Sequence, residues 1–140
     1  MTHPVYPCLW FNGQAKAAAE HYCSIFKNSK ITMDSAMVVY FELDGQKFMG
    51  LNGGPDYTFN EAVSFVVNCD TQEEIDHHWN KLTEGGSEGP CGWLKDKFGV
   101  SWQIVPNILG QLLSNPEKAP RVVQAFRQMK KFDIDTLMNT

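Results

Sequence analysis

No apolar run in the chain approaches the roughly 18 residues that a membrane-spanning helix needs, and the N-terminus lacks the charged-then-apolar pattern of a secretory leader. A membrane protein is therefore not expected, and the cytoplasm is the expected compartment. Cysteine is scarce: Cys8, Cys23, Cys69 and Cys91 are widely spaced and form no C-x-x-C pair. Four cysteines could form two disulfides in a secreted protein, but without a signal peptide reduced thiols are expected. Cys8 and Cys69 lie in strand-like runs and are read as small core residues. Basic residues are few (12 Lys and Arg against 16 Asp and Glu) and scattered, apart from Lys130-Lys131. Neutralising phosphates takes a clustered basic face, so no nucleic-acid partner is expected. No Walker loop, Ser-His-Asp arrangement or paired-carboxylate pattern is present.

What is present is the composition of a folded protein of 140 residues, 43% apolar and 12% aromatic, enough for a core without staples. Val5–Phe11 reads as a strand, and Asn12 as the cap of a following helix. From Gln14 to Phe26, Ala15, Ala18, Ala19, Tyr22, Ile25 and Phe26 share one helical face. Asn28 suits a left-handed helix end. Ile31–Leu43 reads as extended, Asp44-Gly45 as a two-residue hairpin turn and Lys47–Leu51 as the return strand. Asn52-Gly53-Gly54-Pro55 breaks regular structure.

The cycle then repeats. Ala62–Val67 reads as a strand. Thr71 with Glu74 forms a capping-box pattern, Ile75, Trp79 and Leu82 line a helical face, and Gly85-Gly86 stops the helix. Asp96–Gly99 is a turn, Val100–Val105 a strand. Short helices are expected around Ile108–Leu113 and Glu117–Met129, with a further turn in Phe132–Thr140. At a shift of 57 positions Leu9 meets Val66, Ala18 meets Ile75, Tyr22 meets Trp79, Ile25 meets Leu82 and Asn28 meets Gly85. At 54, Gly45 meets Gly99, Phe48 meets Trp102 and Leu51 meets Val105. Cap, anchor and stop recur together, so the chain reads as a duplication.

The stretches Cys8-Leu9-Trp10-Phe11-Asn12-Gly13, Phe41–Phe48, Leu51–Pro55, Cys91–Gly99 and Ser101–Pro106 resemble the PhnB-like branch of the vicinal oxygen chelate superfamily, a subgroup often labelled 3-demethylubiquinone-9 3-methyltransferase. The resemblance implies an α+β fold of paired βαβββ modules with curled, glyoxalase-like mixed sheets and short C-terminal helices. As one domain over 1–140, module one would span about 4–55, module two about 60–106, and the helices 107–140. Similar proteins carry a longer segment between the second and third strands. Lys30 to Phe41 is only twelve residues, so a chain break or tight reversal is expected near Asp34-Ser35-Ala36.

Metalloenzymes of this superfamily take two ligands from each module. Their slots fall here on Pro7, Met49, Ala62 or Ser64, and Gln103. One neutral amide does not hold a metal ion, so no metal and no cofactor are expected. The histidines add no donor set: His3 lies in the tail, His21 on the first helix, and His77 and His78 are adjacent on the second, about 100° apart. By resemblance and alternation, Trp10, Met49, Gln103 and Ser64 or Phe65 face a cavity, with Asn52 and Trp93 at its mouth. For Trp10 a closed core is the equal alternative; Trp102 is read as core. Gln103 pairs with a backbone group or orients a ligand. Lys95-Asp96-Lys97 is read as a solvated charged turn. The expected function is metal-free binding of a small molecule by a homodimer. The alternatives are an enzyme (a methyltransferase by the family label, or a metal-dependent lyase, isomerase or dioxygenase) and a structural or regulatory homodimer. Val122, Val123, Phe126 and Met129 would pack either on a partner or on their own sheet.

Overall fold

The computed structural model describes residues 4–140; His3 lies outside them. The chain divides into two compact units, one ending at Phe59 and one beginning at Asn60. In the first, β1 (Cys8–Phe11), α1 (Ala15–Ile25), β2 (Lys30–Asp34), β3 (Val38–Leu43) and β4 (Gln46–Asn52) follow in order. In the second, β5 (Phe65–Cys69), α2 (Gln72–Thr83), β6 (Ser87–Glu88), β7 (Trp93–Lys95) and β8 (Ser101–Pro106) repeat that order, and α3 (Ile108–Ser114), α4 (Ala119–Phe126) and α5 (Ile134–Met138) are appended. Each unit holds a four-stranded mixed sheet, β1-β4-β3-β2 and β5-β8-β7-β6. The first strand pairs parallel to the last and the others run antiparallel.

Local chemistry accounts for the elements. All five buried positions of α1 (Ala15, Ala18, Ala19, Tyr22, Ile25) belong to the expected apolar face. Asn28 takes φ 49° and its counterpart Gly85 φ 75°, the left-handed step that ends a helix. Asp44 and Gly45 have φ 50° and 84° and join Leu43 to Gln46 in register, as a primed hairpin turn requires. The short segment after Lys30 is a tight reversal: the Ser35 amide donates to the Val38 carbonyl at 3.0 Å. Gly50 lies on the helix side of β4, where an added Cβ would come within 3.1 Å of the Ala15 Cβ, so the glycine lets α1 approach the sheet. Phe41 stacks on Phe48 and leans on Tyr22 in the first core. Trp79, Ile75, Leu82, Leu94 and Ile104 form the second.

Several expectations need correction. Asn12 does not cap α1. The Ala15 amide instead donates to the Asn52 side-chain oxygen at 2.9 Å, while the Asn52 amide group donates to the Ala36 carbonyl at 2.9 Å. One side chain at the end of β4 thus ties down both the helix start and the β2–β3 reversal. Asn52→Ala is expected to cost about 1–2 kcal/mol, the range for a lost cap plus an unsatisfied carbonyl, with Asn12→Ala near neutral. Urea unfolding of the two variants checks this, and equal losses would return the cap to Asn12.

The pairing of Leu9 with Val66 also fails. Leu9 is 5% exposed and Val66 55%, because side chains alternate along a strand and a one-residue slip reverses the face. Leu9 corresponds to Val67 and Phe11 to Cys69, since Leu9 pairs with Gly50 as Val67 pairs with Ile104. The strand-to-helix connection is one residue shorter in the second unit, so the helices match at 57 and the strands at 58. Correspondingly β5 starts at Phe65, not Ala62. Cys8 is exposed rather than core. Cys69 is fully buried, and desolvation pushes its thiol up to about 11, which leaves it protonated and inert at neutral pH.

The C-terminal helices attach to the second unit. The Gln72 side chain on α2 donates to the Phe132 carbonyl and accepts from the Ile134 amide. Cys91 and Gly92 amides donate to the carbonyls of Met129 and Lys130. Phe132 is 2% exposed and its ring lies so close to Gly92 that a Cβ there would fall 2.4 Å from it. Val122 is buried and Phe126 packs edge-on against Phe132, so these two side chains pack within their own unit, while Val123 and Met129 are half-buried.

Candidate functional site

Alternation sorts the side chains of each sheet onto a helix-covered face and an opposite face. In the first unit, Trp10, Met49, Tyr40 and Lys47 occupy the face away from α1. Trp10 is not open there: its indole N–H donates to the Gly54 carbonyl at 2.9 Å, Tyr57 packs edge-on against it, and Gly53 abuts its ring. Lys47 sits over the rings of Tyr6 and Tyr40 at 4.3 and 4.6 Å. Asn52 holds the helix start described above.

In the second unit, register places Gln103 level with Val66 and Trp93, and Ser101 level with Lys95. Ser64, just ahead of β5, accepts a hydrogen bond from the Gln103 amide group at 2.9 Å. Gln103 therefore pairs with a side-chain hydroxyl rather than a backbone group. Phe65 points to the helix side, its ring 5.4 Å from Trp102. Of the residues read from sequence as cavity-facing, Ser64, Trp93 and Gln103 share one face of the second sheet. Trp10 and Met49 share a face of the first.

A pocket of about 390 Å³ opens in the second unit beside Trp93, within the size range of small-ligand sites. Its remaining wall is Glu61, Ser87–Pro90, Leu94, Lys95 and Ser101. Lys95 forms an ion pair with Glu61, and the hydrogen bond from that ammonium holds the Glu61 carboxyl below its usual range. Glu88 accepts from the Trp79 indole N–H at 2.7 Å. Ser101 is 1% exposed, and its hydroxyl has no hydrogen-bond partner among the described residues. Buried hydroxyls are nearly always satisfied, so an unpaired one in a residue that lines a pocket stands out.

Sequence reasoning reached Trp93 and missed Glu61, Ser87, Glu88 and Ser101. Ser101 was within reach: once Asp96–Gly99 is a turn, a short hairpin sets residue 101 opposite 95. Glu61 and Glu88 carry no periodic signal, since one lies in a connection and the other in a two-residue strand.

Asp96 corrects the reading of its turn as solvated. It is 3% exposed. One carboxylate oxygen accepts from the amides of Phe98 and Val100 at 2.9 and 3.0 Å, and the other from the Trp102 indole N–H at 2.8 Å. Three donors compensate the buried charge. Lys97 is exposed, as read.

The residues present do not fit the divalent metal that the fold implies. Pro7, Met49 and Ala62 supply no donor of the required kind, and Ser64 and Gln103 are bonded to each other. Among the described residues no group of three His, Cys, Asp or Glu side chains converges. His78 is engaged through Nδ1 with the Glu74 carbonyl at 2.8 Å, and the His77 ring lies 5.1 Å from it. No helix among the described residues is long and apolar enough to cross a membrane.

No curated protein matches the chain. The family model described as 3-demethylubiquinone-9 3-methyltransferase matches residues 3–105. A PhnB protein from Bacillus cereus is 32% identical, with a TM-score of 0.69 over 74% of this chain and 99% of that one. A Pseudomonas aeruginosa protein is 21% identical, with a TM-score of 0.61 over 75% and 98%. The fosfomycin resistance protein FosX from Listeria monocytogenes, solved with Mn(II) and sulfate, is 14% identical, with a TM-score of 0.60 over 81% and 97%. The last two likenesses show the fold alone. A duplicated βαβββ order, a family match across most of the chain and a PhnB protein at this identity agree, and the chain belongs to the 3-demethylubiquinone-9 3-methyltransferase family as a PhnB-like protein.

Proposed function

We propose that this protein binds a small organic molecule without a metal ion, and that the ligand enters the second-unit pocket against Trp93. The observation that carries the reading is the buried, unpartnered Ser101 hydroxyl on the wall of a cavity of about 390 Å³. The free state of all four cysteines supports a reducing compartment, and homodimer formation is the default for such chains.

A methyltransferase reading has less support in the residues. A dinucleotide-type methyl-donor site needs a glycine-rich turn between a parallel strand and a helix. The three strand–helix connections here are Asn12-Gly13-Gln14, Asp70-Thr71 and Asn107, while Gly50 lies within β4 and Gly53 and Gly54 follow it into a loop.

A thermal-shift screen of planar aromatic compounds, with S-adenosylmethionine included, tests the proposal. A ligand at a hundredfold excess over its Kd adds about 2.7 kcal/mol to the native state, a rise of roughly 5–10 °C for a chain of this size. The rise is expected for the wild type and not for Trp93→Ala. No rise with any compound, or equal rises in both proteins, would sink the pocket assignment. A rise with S-adenosylmethionine that survives the substitution would favour methyl transfer.

A further inference from the structure

We propose that the Trp93 pocket selects a flat organic cation carrying N–H donors, such as an aminoaromatic or amidinium compound; this rests on the small-molecule reading above. Three features converge on it.

The first is charge. The wall carries the carboxylates of Glu61 and Glu88 and the single ammonium of Lys95. Lys95 is committed to Glu61. Glu88 is held by a neutral donor, the Trp79 indole N–H, and among the described residues it has no cationic partner. One carboxylate, exposed at the pocket's rim, is thus left without a cationic partner among the described residues, where its field acts on a charged ligand and is weakened by salt. An anion entering the pocket would meet that charge, and would have to take Lys95 away from Glu61.

The second is Trp93 itself. The other three indole N–H groups have protein acceptors: Gly54 for Trp10, Glu88 for Trp79 and Asp96 for Trp102. Trp93 is half-buried on the pocket wall and makes no ring, cation or indole N–H contact among the described residues. A free indole face is the best aromatic partner for a cation.

The third is Ser101. Its buried hydroxyl accepts as well as donates, and an N–H group of the ligand is what would satisfy its acceptor side. Ion pairing, stacking and this hydrogen bond together specify a planar nitrogen cation, where a quaternary ammonium would leave the hydroxyl open.

Three probes of similar shape test the inference by calorimetric titration: proflavine (planar, cationic, with amino groups), 2-naphthol (planar, neutral) and naphthalene-2-sulfonate (planar, anionic). Proflavine is expected to bind at least about tenfold more tightly than the sulfonate, and to weaken as salt is raised. Glu88→Gln is expected to weaken proflavine about three- to tenfold and to leave 2-naphthol unchanged. The glutamine oxygen still accepts from Trp79, so the variant keeps its core contact, which an unchanged melting curve verifies. Equal affinities for proflavine and sulfonate, or no effect of Glu88→Gln on proflavine, would overturn the cation preference while Trp93-dependent binding of 2-naphthol kept the pocket. No Trp93-dependent binding of any of the three would remove both.

Discussion

Asp96→Ala is expected to lower the thermal midpoint by about 10 °C or more. The substitution removes the carboxylate that accepts from the Trp102 indole N–H and from the Phe98 and Val100 amides. Each buried donor left unsatisfied costs roughly 1–3 kcal/mol. Three such donors therefore put the loss at about 3–5 kcal/mol even after partial relaxation, and each kcal/mol is worth a few degrees at this size. The backbone bond from the Asp96 amide to the Val100 carbonyl at 2.9 Å closes the turn but does not satisfy those donors. Asp96→Asn separates charge from geometry: the asparagine oxygen still accepts from the two amides, while its NH2 faces the Trp102 N–H, donor against donor. About half the alanine loss is expected. Scanning calorimetry of both variants decides the matter. A midpoint for Asp96→Ala within about 2 °C of wild type would mean that the turn is held by its backbone alone. Lys95 precedes this turn and Ser101 follows it, so the proposed binding at the Trp93 pocket is expected to weaken with Asp96→Ala.

The second large effect is expected at Gly86, where the loop leaving α2 crosses the end of β7. A Cβ there would lie 2.0 Å from the Lys95 carbonyl oxygen and 2.8 Å from the Asp96 carbonyl carbon. Both are backbone atoms in a hydrogen-bonded turn, so no flexible side chain can give way. Gly86→Ala must push two backbone segments apart, at about 2–4 kcal/mol, the upper part of the range for overpacking. Gly110 supplies the opposite sign. It lies inside α3 with no atom of the described residues within 4 Å of its added Cβ, so alanine there should stabilise by about 0.5–1 kcal/mol through helix propensity and a less flexible unfolded chain. Chemical denaturation of the pair checks both. A neutral Gly86→Ala would show that the α2–β6 loop is not pressed against β7.

Much of the architecture is written locally. α1 and α2 announce themselves through apolar spacing, Thr71 caps α2 by accepting from the Glu74 amide at 3.2 Å, and Asn28, Asp44-Gly45 and Gly85 sit where only a left-handed backbone serves. These signals arise within a few residues of one another. The duplication was legible for the same reason, since it rests on two helices whose periods match.

The strand faces were less legible. Ala62–Val67 has no alternation by which to set its register, and only pairing with β8 decides that Phe65 and Val67, rather than Val66, turn toward α2. The candidate site lay further still beyond reading. Trp93 is visible as an aromatic in a glycine-rich stretch, but Glu61 comes to Lys95 across more than thirty residues of chain.

The sequence by itself determined the βαβββ repeat, its turns and its helix ends, because each depends on dihedral preferences and apolar spacing within one element. Only the tertiary structure decided that Asn52 anchors a helix begun 37 residues earlier, that Asp96 is buried, and that Ser101, a pocket-lining residue, keeps a buried hydroxyl with no partner among the described residues. Those outcomes depend on which polar groups meet once strands pair, and hydrogen bonding between distant residues leaves no period in the chain.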